Sequence, residues 1–173
     1  VAASPGTRWP ETTTLALSPW PRNERSPLVG LKSTSYAENV LALARARATG
    51  AGEALMANLA GDLCEGTGSN VFLVLEGRVL TPPLSSGCLA GITRGLVLEW
   101  CAEAGVDVSE VDLPVAALGS AEEVFVTSST RDVHPVSQVL DAGGAPVWTG
   151  AAGALTHRIA ALFAERAAAD WNP

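Results

Sequence analysis

Residues 53–83, EALMANLAGDLCEGTGSNVFLVLEGRVLTPP, constrain the fold more tightly than any other stretch. Three short apolar runs are separated there by Ala-Gly-Asp and Glu-Gly, turn residues that leave room for a tight reversal and none for a helix. The spacing predicts consecutive short strands. Elsewhere the period changes. TTLALSPW alternates as a strand, and the proline-rich PRNERSPL after it reads as an extended loop. TSYAENVLALARARATGAG reads as a helix capped by Thr34 or Ser35, with an apolar stripe of Val40, Leu41 and Leu43 and a stop at Gly50. ITRGLVLEWCAEAG predicts a second helix ended by Gly105, and ALTHRIAALFAERAA a third, amphipathic one. VSEVDLP, EEVFVTSS and VHPVSQVL read as strands, VAALGSA as a helical turn and GGAPVW as a hairpin end. Helices interspersed with mainly antiparallel strand groups give an α+β class with a mixed sheet.

Composition narrows the partners. At 173 residues and 47% apolar the chain can bury a sizeable core. A net charge of −7 argues against a nucleic-acid or anionic-membrane surface, which needs a basic patch. The apolar runs VLALARARA and ALTHRIAALFA are broken by arginine or histidine before they reach membrane-spanning length. No basic-then-apolar leader opens the sequence, and Cys64, Cys88 and Cys101 are odd in number without metal spacing. Reduced core thiols in a cytoplasmic protein are the expectation. His134 and His157 stand far apart, so no metal site is expected, and Trp100 and Trp148 are expected in the core.

Four stretches carry usable chemistry, each with a plainer reading beside it. Lys32 is the sole lysine, set between apolar residues and a helix start. It is either a solvated amine or one whose ammonium form is disfavoured, as Schiff-base chemistry needs. Glu65 in CEGTGSNVF is either a turn acid or a carboxylate held at a strand end to meet a cation or a protonated ring nitrogen. In CLAGITRG, Gly91 precedes Ile92 and Thr93 where a helix begins, giving either an ordinary cap or a nest of free N–H groups for an anion. Thr127, Ser128, Ser129 and Thr130, followed by an arginine, are turn hydroxyls or a second anion contact. Taken together, a lysine, an acid and two hydroxyl and N–H nests are the needs of pyridoxal 5′-phosphate (PLP).

The order of these pieces, K…N…EGTGSNVFLV…LTPPLSSGCLAGITRGLVLEW…AEEVFVTSST…PV, resembles the fold-type IV PLP enzymes, the class IV aminotransferases, over about residues 27–141. The resemblance implies the large C-terminal domain of that fold, a PLP cofactor, a small-molecule substrate and a homodimer. It implies that Lys32 is the Schiff-base and proton-transferring residue. It gives Glu65 to the pyridine nitrogen, Gly91, Ile92 and Thr93 to the phosphate, and Ser129 to a second phosphate contact flanked by Ser128 and Thr130. Gly66 and Asn70 would shape the turn.

Departures from the family pattern bear on the subtype. Branched-chain aminotransferases carry a tyrosine five residues after the lysine; here that position is Ala37, and the tyrosine stands one residue early, at Tyr36. One residue turns a helical side chain by about 100°, so Tyr36 is expected only as a substrate contact. The lead-in PRNERSPLVGLK looks like that of 4-amino-4-deoxychorismate lyases, whereas TSST is closer to the D-amino-acid enzyme. The favoured expectation is a lyase making 4-aminobenzoate and pyruvate. The alternatives are an aminotransferase for D- or branched-chain amino acids, a non-catalytic binding domain, and an unrelated anion-binding α+β protein. Arg22 and Arg25 are within reach of a substrate carboxylate on this reading but are better explained as solvated loop arginines. Residues 1–30 are expected to be the end of an interdomain connection plus a first strand, and residues 31–173 the PLP-binding domain, without the family's smaller N-terminal domain.

Overall fold

In the computed structural model, which describes residues 9–169, β1 (Thr13–Leu17) leads through a long loop to α1 (Ala37–Ala48). Four strands follow: β2 (Glu53–Ala57), β3 (Leu63–Gly66), β4 (Asn70–Leu75) and β5 (Arg78–Thr81). Then come α2 (Ile92–Glu103), β6 (Val108–Glu110), β7 (Glu123–Ser128), β8 (Asp132–Leu140), β9 (Pro146–Thr149) and α3 (Ala154–Ala169). Short 3-10 turns occupy Leu84–Ser86 and Val115–Ser120. Residues 53–83 thus make four strands where three runs were expected. The middle run breaks at residues 67–69, where the chain leaves the β2–β3 pairing and begins the β4–β7 pairing.

One mixed sheet results, in the order β3-β2-β1-β8-β7-β4-β5-β6, with β9 on β8. β1 runs parallel to both its neighbours, β2 and β8, and β5 runs parallel to β6; the other pairs are antiparallel. The expected first strand is therefore an interior strand of this sheet; residues 1–8 of the expected connection lie outside the described residues.

Period-two alternation divides the side chains between two cores. On β4, Val71 and Leu73 join a core with Leu15, Leu55, Val136 and Trp148, while Phe72 and Val74 face α2 and α3. β7 does the same, Val124 and Val126 against Phe125. Phe72 and Phe125 are register partners and stack with ring centroids 4.8 Å apart, a contact worth ~0.5–1.5 kcal/mol beyond their burial. Trp100 of α2 meets Phe163 of α3 at 5.1 Å, and the Trp148 indole donates to Ala121 O at 2.8 Å, so both tryptophans are core residues as expected. The three cysteines are buried free thiols, and burial pushes Cys64 up to about 12 and Cys101 to about 11.

α1 departs from its expected packing. It buries Ala42 and Ala46 against Ala16, Ala51 and Ala54, while Val40 and Leu41 are 60% and 61% exposed. Small side chains let the helix approach β1 and β2 closely, so the alanines rather than the larger residues face the sheet. Thr34 and Ser35 do not cap it either. The N-cap position is Tyr36, with no side-chain cap bond. Among the described residues, no helix is long and apolar enough to cross a membrane.

Candidate active site

Because β1 and β2 are parallel, the chain leaving β1 continues beside the end of β2. Arg22 N–H donates to Ala57 O at 2.7 Å, and Arg22 bridges Asn58. β3 returns antiparallel along the other side of β2, with Glu65 opposite Met56. Arg22 Nη2 therefore reaches Glu65 Oε1 at 2.5 Å. Glu65 Oε2 accepts the Leu89 N–H at 2.8 Å. Burial raises the Glu65 pKa above its ordinary value, and the Leu89 amide and the Arg22 guanidinium oppose that rise. Glu65 is thus a buried strand-end carboxylate whose two oxygens are each held by one donor.

The Leu89 peptide ties the acid to the start of α2. Its carbonyl accepts the Asn70 side-chain amide at 2.9 Å and the Gly91 N–H at 2.8 Å. Gly91 is the N-cap of α2 without a side-chain cap, so the Ile92 and Thr93 N–H groups have no protein acceptor among the described residues. They point with the positive end of the helix dipole, an arrangement that takes an anion. The Gly91 amide is spent on Leu89, which corrects the expectation that it joins them. Gly91 serves by its size instead: a Cβ there would lie 2.1 Å from Asn70 Oδ1.

A cavity of about 760 Å³ opens over these groups. Lys32, Tyr36, Glu65, Gly91, Ile92, Thr93, Ser128, Ser129 and Thr130 all line it. Lys32 Nζ donates to Tyr36 Oη at 3.0 Å. Tyr36, though one position early, brings its hydroxyl to the amine because it sits ahead of the first helical turn (φ −95°, ψ 16°) rather than in it. The apolar lead-in does not bury the amine: Leu28 and Leu31 are 52% and 62% exposed, and Lys32 is exposed too. Arg25 is not among the lining residues. Its side chain is 85% exposed beside Glu24, a position that favours the solvated-loop reading given for it over the alternative of a substrate contact.

At the end of β7, Ser128 Oγ lies 3.3 Å from Thr130 Oγ1, and Thr127 Oγ1 is buried at the cavity with no hydrogen-bond partner among the described residues. An orphaned buried hydroxyl and two free amides around one cavity suit acceptor oxygens. Arg131 Nη2 pairs with Glu53, and Arg131 Nε reaches Ser128 Oγ at 3.4 Å. Glu53 Oε1 also accepts the Gly68 N–H at 2.6 Å and the Ser69 hydroxyl at 3.0 Å. One buried ion pair thereby fastens the 67–69 turn to the hydroxyl-bearing turn across the cavity.

Sequence reasoning missed the place of Arg22 and the Glu53–Arg131 pair. Arg22 looked like a solvated loop residue, and only the parallel pairing of β1 with β2 brings it to Glu65. Glu53 follows Gly52 at a strand start, and its partner is 78 residues away.

Known proteins share this sequence pattern and fold. Residues 2–139 match the family model described as amino-transferase class IV. The branched-chain-amino-acid aminotransferase of Escherichia coli K12 is 33% identical over 137 residues, covering 79% of this chain and 43% of that one. A solved structure titled as a putative 4-amino-4-deoxychorismate lyase from Legionella pneumophila superposes with a TM-score of 0.85 at 28% identity, over 92% of this chain and 58% of that chain. The branched-chain aminotransferase of Thermobaculum terrenum in its PLP-form gives 0.83 at 29% identity, over 92% and 52%. The chain therefore spans about half the length of the proteins it matches. With the family match covering well over half of its own residues, the chain belongs to the class IV aminotransferases.

Proposed function

We propose that this chain is the cofactor-carrying part of a PLP enzyme that converts 4-amino-4-deoxychorismate to 4-aminobenzoate and pyruvate. The family is PLP-dependent. The observation that carries the reading is the meeting, around one cavity, of the sole lysine, a buried acid and an anion nest with an orphaned hydroxyl. That donor set fits the cofactor: the Ile92 and Thr93 amides and the hydroxyls of Thr127, Ser128, Ser129 and Thr130 would take its phosphate, and Glu65 its ring nitrogen. When bound, the cofactor supplies an electron sink for the pair released at the carbon bearing the substrate nitrogen.

The protein's own groups do the rest. Lys32 would hold the cofactor covalently, and its free amine would take the proton from that carbon and return one to the departing three-carbon group. The Tyr36 hydroxyl orients the Lys32 amine, to which it is bonded at 3.0 Å. Glu65 would face the ring nitrogen and favour its protonated form. The lead-in PLVGLK and the superposition on the Legionella structure support the lyase. An aminotransferase for D- or branched-chain amino acids is the second reading, favoured by the branched-chain relatives and by the Tyr36–Lys32 contact. The working unit on either reading is a cytoplasmic homodimer, for which the exposed Val40 and Leu41 of α1 offer apolar surface.

The test takes the full-length protein with PLP, reduces it with borohydride and maps the adduct by peptide mass spectrometry. An adduct on Lys32 supports the site, and none sinks the enzyme reading. Release of fluorescent 4-aminobenzoate with pyruvate supports the lyase. Amino transfer from leucine or D-alanine to 2-oxoglutarate without that release replaces it by the second reading.

A further inference from the structure

We propose that Arg22 is a positioning residue that keeps Glu65 charged and aimed at the cofactor's ring nitrogen; the inference rests on the PLP reading of the cavity. Arg22 is not a mobile loop side chain. Its backbone is bonded to Ala57 O, its guanidinium reaches Glu65 Oε1, and it lines the cavity itself. Two fixed donors, Arg22 and the Leu89 N–H, set the plane of the carboxylate from two different segments. A carboxylate has about four acceptor directions, so each oxygen keeps one free for a ring N–H.

The charge argument follows from what faces Glu65. Glu53 of β2, Cys64 of its own strand, Cys88 of the loop before α2 and Arg22 are the titratable groups around it. The two thiols stay neutral at ordinary pH because burial raises both. Glu53 is already committed to Arg131. Among the described residues Arg22 is the cation paired with this buried acid, and with the Leu89 amide it opposes the rise that burial imposes. Without it only the Leu89 amide opposes burial, so the carboxyl holds a proton more readily and is a poorer partner for a protonated ring nitrogen.

The experiment compares the wild type with Arg22→Met, Arg22→Lys and Glu65→Gln in the full chain, in two arms. The first arm needs no cofactor: thermal unfolding from pH 5 to 8. A carboxyl whose folded pKa is raised above its unfolded value loses stability as pH rises through the folded pKa. Arg22→Met raises it further, so its deficit against wild type should widen from pH 5 to pH 8. The widening should vanish when Glu65→Gln is added. The second arm measures PLP binding and the pH dependence of the bound cofactor's absorbance. Arg22→Met should weaken binding about tenfold, the equivalent of ~1.4 kcal/mol, and shift the pH dependence of the bound cofactor's absorbance to higher pH. Arg22→Lys should recover most of both. A deficit independent of pH, or unchanged PLP affinity and absorbance in Arg22→Met, overturns the proposal. Failure of the wild type itself to form a Lys32 adduct sinks the PLP reading instead, and the first arm still decides whether Arg22 holds the charge of Glu65.

Discussion

Replacing Gly91 by alanine tests whether the loop before α2 is built around the Asn70 side chain. The backbone at Gly91, φ −65° and ψ 137°, suits any residue, so the substitution carries no conformational strain. The added methyl would lie 2.1 Å from Asn70 Oδ1, well over ~1 Å inside the ~3.3 Å of a normal carbon–oxygen contact. Asn70 is 5% exposed and its amide is held by Leu89 O at 2.9 Å, so the oxygen retreats only by giving up that bond. Overpacking costs ~1–3 kcal/mol and the lost hydrogen bond ~1 kcal/mol, about 2–4 kcal/mol together. For a chain of this size that lowers the melting temperature by roughly 4–16 °C. Gly95→Ala, inside α2 with nothing within 4 Å of the new methyl, is the control. It should stabilise by ~0.5–1 kcal/mol through backbone entropy alone. Circular-dichroism melts of the two variants and wild type decide the matter. A Gly91→Ala melting temperature within about 1 °C of wild type, against the ~2–4 °C per kcal/mol expected, would refute the steric account.

Three further substitutions probe the site's supports. Glu53→Gln leaves Arg131, 6% exposed at its side chain, without its counter-charge and should cost ~3–5 kcal/mol in urea unfolding; an unchanged midpoint would show that the brace contributes nothing. Thr127→Val removes a buried hydroxyl that has no partner, so the cofactor-free protein should be as stable as wild type or more so, while PLP affinity falls about tenfold. Equal affinity would mean the hydroxyl does not meet the phosphate. Asp141 accepts the amides of Gly143 and Ala145, which lower its pKa. Its contribution is present above the ordinary carboxyl range and lost as pH falls through the lowered value, so Asp141→Asn should flatten the acid end of the stability curve, and a parallel curve would count against it.

The sequence carried the elements well because the signals there are local. Short continuous apolar runs in NVFLVL and EEVFVT, rich in β-branched and aromatic residues, mark β4 and β7 directly, and Gly105 marks the end of α2. The lysine, the acid and the helix-start amides were legible for the same reason, each being a short motif. What was illegible depends on pairing between distant strands. Arg22 and Glu65 are 43 residues apart, and Glu53 and Arg131 are 78 apart. Neither pair shares a periodicity, and each exists only once β1 lies parallel to β2 or the 67–69 turn faces the β7–β8 turn. The stripe of Val40 and Leu41 misled because hydrophobicity says which residues prefer burial, whereas the small size of Ala42 and Ala46 decides which face can approach the sheet.

The interior place of β1 sets a clock on how this chain is made. Thr12, just ahead of β1, bonds Ser137 of β8, 125 residues later. A ribosome adding ~5–20 residues per second needs roughly 6–25 s to supply that partner. For that interval β1 can pair with β2 alone, and its other edge, with the apolar Leu15 and Ala16, offers open backbone groups to any strand nearby. β1 is thus enclosed long after it is made, so nascent chains released before β8 emerges are the form of this domain most exposed to aggregation.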